Sequence, residues 1–170
     1  MSSAIDTTIV TSGLFLVLLV VVVGFSMISQ VVLADSIRIR LGEISNQVAS
    51  DMIEVVSLCY QSTSADVRLF RPLKIPTSVG TYGYAIRLRL DGNVWVVEAS
   101  LETGGPLPST SPLWQQSGDM IVVTQVGTVH IGSQLIDFGP VLHSGSAFPV
   151  VWATRDSNGV TKVGLGEMRS

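Results

Sequence analysis

A chain of 170 residues with a formal charge of −3 and 14% charged residues has an acidic balance, and its paired arginines, Arg38 and Arg40, Arg87 and Arg89, are interleaved with Ile and Leu and form no basic patch, so no nucleic-acid partner is expected. Its one cysteine, Cys59, excludes a disulfide within the chain and any zinc site built from several thiolates. The length suffices for one long helix and one strand-rich domain of roughly 110 residues, not for two independent globular domains.

The N-terminal segment is the first predicted element. No Asp, Glu, Lys or Arg lies between Asp6 and Asp35, and Gly13 to Phe25 is almost purely aliphatic. A membrane span needs about 20 apolar residues, and this run supplies them. No Lys or Arg precedes it, whereas a secretory signal opens on a basic stretch and closes at a small-residue cleavage site. The run also passes without a break into a second helical pattern, so the segment is expected to be retained. Asp6 is the one acid ahead of it. It either opposes the positive end of the helix dipole or pairs with the α-amino group of a neighbouring subunit, neutralising both charges.

From Asp35 to Tyr60 the pattern turns amphipathic. Leu33, Ile37, Leu41, Ile44, Val48, Met52, Val55 and Cys59 recur at spacings of three and four, the period of a single helix face. No proline or turn cluster intervenes before Ser62-Thr63-Ser64, so one rod of roughly 55 residues is expected, about 80 Å long at about 1.5 Å per residue. Its first half, apolar all round, must be buried in lipid or among other apolar helices. Ser12, Gly13, Gly24, Ser26 and Ser29 are small enough for close helix approach. Residues 1–61 therefore form the helical part, and 62–170 the remainder.

Beyond residue 62 short strand patterns follow: Val67 to Leu69, Tyr82 to Leu90, Val94 to Leu101, Met120 to Val126, Thr128 to Ile131, Gln134 to Phe138, Phe148 to Thr154 and Val160 to Leu165. Asp91-Gly92 and Asn158-Gly159 supply the positive φ that tight hairpins require. Alternation places Ile86, Leu88 and Leu90 toward a core and Arg87 and Arg89 outward. Several short strands with close turn signals argue an antiparallel sandwich or barrel. The fold class is thus α+β: a long N-terminal helix followed by an antiparallel, immunoglobulin-like β-sandwich. Glu102 to Asp119, with its Gly104-Gly-Pro-Leu-Pro run, reads as a long irregular loop. Leu113 and Trp114 inside it are candidates for contact with a neighbouring subunit or for capping the domain's own core.

Nothing in the chain spells catalysis. His130 and His143 lack an HExxH or CxxC companion, and no serine sits in a Gly-x-Ser-x-Gly elbow. Asp137 and Asp156 lack the Asp-x-Asp spacing of a calcium loop. The expectation is a non-enzyme with no catalytic, cofactor-binding or metal-ligating residues. Orientation signals conflict: Arg38 and Arg40 beyond the span favour a cytoplasmic C-terminal domain, while Ser/Thr-rich loops on a strand-rich domain favour the cell surface, which is the reading adopted.

Taken together, Ile9 to Leu33 as an apolar helix, Leu33 to Cys59 as its amphipathic continuation and the strands from Val67 onward resemble the archaeal type IV pilin superfamily of adhesive pilins, archaellins and archaellum accessory subunits. The resemblance is architectural and covers the whole chain. It implies an extracellular filament subunit, membrane-anchored before assembly, with helices in a central core and sandwiches outside. Ile9, Leu14, Phe15, Leu18, Val21, Phe25, Ile28 and Val32 would then form the assembly interface. The implied partners are further copies of the chain and membrane lipid before assembly. The alternative is a single-pass anchored accessory protein whose sandwich binds a surface-layer or motor partner, and a third reading is a periplasmic-side binding module for a small ligand.

Overall fold

The structure, a computed structural model, describes the backbone of every residue except 1, 65, 106 and 170, and side chains from residue 11 onward with the same exceptions. Helix α1 spans Ser2–Gln61. Tertiary contacts divide the chain into two units, Met1–Ser36 and Ile37–Ser170. That division falls inside α1, so Ile37–Gln61 belongs with the strands that follow it.

Within the second unit the amphipathic stripe does what its period requires. Ile37, Leu41, Ile44, Val48, Met52, Val55 and Cys59 are all buried, while Ile39 and Ile53, off the stripe, are exposed. Leu33, the first residue of the expected stripe, is 54% exposed and lies in the other unit.

Ten strands follow: β1 (Val67–Pro72), β2 (Tyr84–Asp91), β3 (Val94–Leu101), β4 (Ser109–Gln115), β5 (Met120–Val122), β6 (Gly127–Ile131), β7 (Gln134–Phe138), β8 (Val141–His143), β9 (Pro149–Arg155) and β10 (Thr161–Arg169). They form a six-stranded sheet ordered β1-β9-β10-β7-β6, with β5 also on β10, and a four-stranded sheet ordered β4-β3-β2-β8. Pairing is antiparallel except for β5, which runs parallel to Thr161–Val163 of β10; β7 takes Gly166–Arg169 farther along. The β2–β3 hairpin turns through Gly92 and Asn93, with Gly92 at φ 61° and Asp91 paired to Val94. Only the first turn residue has positive φ, the geometry of a type II′ hairpin, whose twist matches that of its strands.

One core unites the helix stripe with both sheets, through Tyr84, Ile86 and Val97 on one side and Val151, Ala153, Val163 and Leu165 on the other. The helix closes the opening between the two sheet edges β4 and β1. Toward β4, Ser45 and Ser111 hydroxyls meet at 2.8 Å and Ser111 donates to Asn46 Oδ1 at 2.7 Å. With the Ser111 proton spent on Asn46, Ser45 can donate to Ser111 or to the Gly42 carbonyl, 3.1 Å away. Toward β1, Arg71 pairs with Asp51 at 3.0 Å and with Glu54.

Alternate residues of the six-stranded sheet point to its other face, where Ile131, Ile136, Val150 and Trp152 form a second apolar cluster with Phe70, Val129, Phe138 and Met168. The sheet curls around that cluster until β1 meets β6, where Arg68 Nη1 donates to the His130 carbonyl at 3.2 Å.

Several expectations need correction. The segment read as a loop contains β4, which pairs with β3. Its Ser-Thr-Ser-Pro sequence resembles a loop because edge strands tolerate proline and polar residues that central strands do not. Strand β8, three residues long, was too short to show a period. Leu90, expected inside, is 38% exposed, because it sits at the hairpin tip where the sheet ends. The strand expected to reach Val126 stops at Val122.

Candidate functional site

The N-terminal unit carries the most unusual surface of the molecule. From residue 14 to 33 sixteen large apolar side chains are exposed. Of the residues expected at an interface, Leu14 is 66% exposed, Phe15 66%, Leu18 62%, Val21 63%, Phe25 72%, Ile28 64% and Val32 62%. Ile9 and Asp6 have side chains outside the described residues. The neighbours Leu16, Val17, Val20 and Val22 are exposed to a similar degree, so no single face is distinguished. An 18-residue window here has a mean hydropathy of 2.7 and is entirely unburied.

Removing one large apolar side chain from water is worth about 1.5–3 kcal/mol. Transfer of sixteen such side chains out of water is strongly favourable, and a contiguous exposed apolar surface of this size marks a contact with lipid or with another protein. The segment is long and apolar enough to cross a membrane, and as a helix it satisfies its own backbone hydrogen bonds there. No Cβ added at Gly13 or Gly24 would meet anything within 4 Å, so those positions are open to close approach by another helix.

The other residues raised by the sequence lie elsewhere. Leu113 and Trp114 belong to β4, not to a loop, and both pack against the main core. A register shift there sets the two of them opposite Trp95, a bulge that turns both toward the core. His130 is exposed on β6, and His143 Nδ1 lies 2.5 Å from Glu102 Oε1 at the surface. Asp137 pairs with Arg169 at 3.3 Å, whereas Asp156 accepts from the backbone amides of Asn158 and Val160 at 3.0 Å each. Among the described residues no cluster of three His, Cys, Asp or Glu is placed to hold a metal ion.

Cys59 is fully buried, and burial pushes its thiol pKa up while the Arg155 charge pulls it down. A raised pKa and a covered sulfur make it unreactive. Arg155 itself reaches the Cys59 and Tyr60 carbonyls, each at 3.5 Å, and lies over the Tyr60 ring. The last turn of α1 has no basic residue of its own, so β9 supplies the cation that its C-terminal carbonyls favour. No sequence pattern announces this cap, because it joins residues nearly a hundred positions apart.

Comparison of the chain with protein-family models, with characterised proteins and with solved structures finds no match.

Proposed function

We propose that this chain is a structural subunit of an extracellular filament of the type IV pilus or archaellum kind, held in the membrane by its N-terminal helix before assembly and packed through that helix afterwards. The observation that carries the reading is the contrast along α1. Its second half buries one stripe on its own domain, whereas residues 14–33 expose apolar side chains on every side. A plain tether needs lipid alone. A filament core offers the same helix an equally apolar surround, so transfer from bilayer to filament need not be uphill. In this reading the two sheets serve as an immunoglobulin-like sandwich, with a strand order of their own, and form the outer, surface-facing part of the subunit.

Val21→Asp tests the reading. A carboxylate in mid-span costs about 2.5–3.5 kcal/mol on insertion scales, and in a filament that charge is repeated in every subunit. The variant is expected to lose filaments while Val21→Leu keeps them, scored by negative-stain microscopy of sheared cells. Filaments of normal abundance from Val21→Asp would remove the helix from the core.

A further inference from the structure

The hairpin between β9 and β10 turns through Asn158-Gly159, the chain's one Asn-Gly pair, and its backbone closes on Asp156. The Gly159 amide donates to the Asp156 carbonyl at 3.0 Å, and the Asp156 amide to the Val160 carbonyl at 3.1 Å. The Asp156 carboxylate accepts from the Asn158 and Val160 amides, each at 3.0 Å. Gly159 has φ 83°, and neither Ser157 nor Asn158 has positive φ. A bond from residue i+3 back to residue i, with negative φ at both central residues, is a type I turn. The left-handed glycine after it completes a three-residue hairpin loop with a bulge.

Asn-Gly has a reactivity of its own. Once the Gly159 amide nitrogen gives its proton to a solvent base, it attacks Asn158 Cγ: the N–Cγ bond forms, the Cγ–Nδ2 bond breaks, and ammonia leaves with a proton returned by solvent. The succinimide so formed takes up water at either carbonyl and opens to aspartate or isoaspartate. Glycine favours the reaction in an open chain, because no side chain crowds the approach and the backbone rotates freely. The closed hairpin withholds both requirements. The proton that must leave Gly159 is held by the Asp156 carbonyl. The five-membered ring also needs the Gly159 nitrogen eclipsed with Asn158 Cβ, whereas the third residue of a type I turn has ψ of about 0°, which eclipses that nitrogen with the Asn158 nitrogen instead.

We infer that Asn158 is a latent deamidation site, held silent in the folded protein by Asp156 and converted only when this hairpin opens. Conversion adds a negative charge to the turn, and isoaspartate adds a backbone carbon as well. The strands that the turn joins set Val163 opposite Ala153 and Leu165 opposite Val151, all four in the main core, so a lengthened loop strains the register on which that core depends. The site is independent of filament assembly, so either reading can fail without the other.

The test incubates the full chain in lipid nanodiscs in mildly alkaline buffer and follows the conversion by mass spectrometry. Trypsin cuts after Arg155 and Lys162, and the fragment between them contains no asparagine but Asn158, so the amide-to-acid change is read at that residue alone. A synthetic peptide of residues 153–164, too short to hold a stable hairpin, gives the rate for an open chain. The folded parent is expected to convert about a hundredfold more slowly than the peptide, the rarity of local opening in a closed hairpin. Asp156→Ala, which frees the Asn158 and Val160 amides, should convert about tenfold faster than the parent in the folded chain, the loss of roughly one net hydrogen bond of closure. The same substitution should leave the peptide's rate unchanged. The variant's unfolding transition, read by tryptophan fluorescence, reports an intact fold, and the comparison of parent with peptide stands without the variant. The inference is overturned if the folded parent converts as fast as the peptide, if Asp156→Ala is no faster than the parent in the folded chain, or if that substitution speeds the peptide equally.

Discussion

Tyr84 has no exposed surface, and its hydroxyl donates to the Pro76 carbonyl. Burial pushes its pKa up to about 12, against about 10 in an unfolded chain. Below pH 10 both states are protonated and the stability is fully present. Between pH 10 and 12 the unfolded chain loses the proton while the folded one keeps it, so about 2–3 kcal/mol of stability is lost as pH rises. Tyr84→Phe should flatten that alkaline slope at the expense of about 1 kcal/mol at neutral pH for the missing hydrogen bond; thermal unfolding followed by tryptophan fluorescence across pH 8–12 measures both. Arg155→Ala should lower stability by about 1 kcal/mol, combining the helix-end and ring interactions. An unchanged midpoint for that variant would show that the contacts at 3.5 Å contribute nothing.

The second half of α1 separates buried from exposed positions sharply enough to test. Leu41 is fully buried and Ile39 is 63% exposed. Leu41→Ala should cost about 2–5 kcal/mol, and Ile39→Ala less than about 0.5 kcal/mol. Equal losses in a denaturation series would mean that this face does not seat on the sheets. The stripe was legible because a period near 3.6 survives any tertiary context. The hairpin at Gly92 was legible because only glycine takes that φ without strain. Strand β4 was hidden because its cues are long-range: Ser111 is buried by Ser45 and Asn46 on the helix, and neither partner lies within sixty residues of it. Leu113 and Trp114 were legible as apolar anchors, but not as strand residues.

For the whole molecule, the division at residue 36 separates a surface that needs an apolar environment from a unit with a core of its own. A fragment of residues 37–170 should therefore be a soluble monomer by sedimentation, retain the unfolding transition of the full chain, and fail to assemble. A fragment that aggregates or stays unfolded would place essential stabilisation in the N-terminal unit. The apolar span itself was plain in the sequence because hydropathy needs no tertiary context. Its occupant was not, because side chains exposed all round select no face. The direct test is electron microscopy of material sheared from cells expressing the full chain. The filament reading predicts helical filaments with a dense axial core; it is contradicted if the protein occurs only in detergent-extracted membranes, as a monomer or small oligomer, with no filaments.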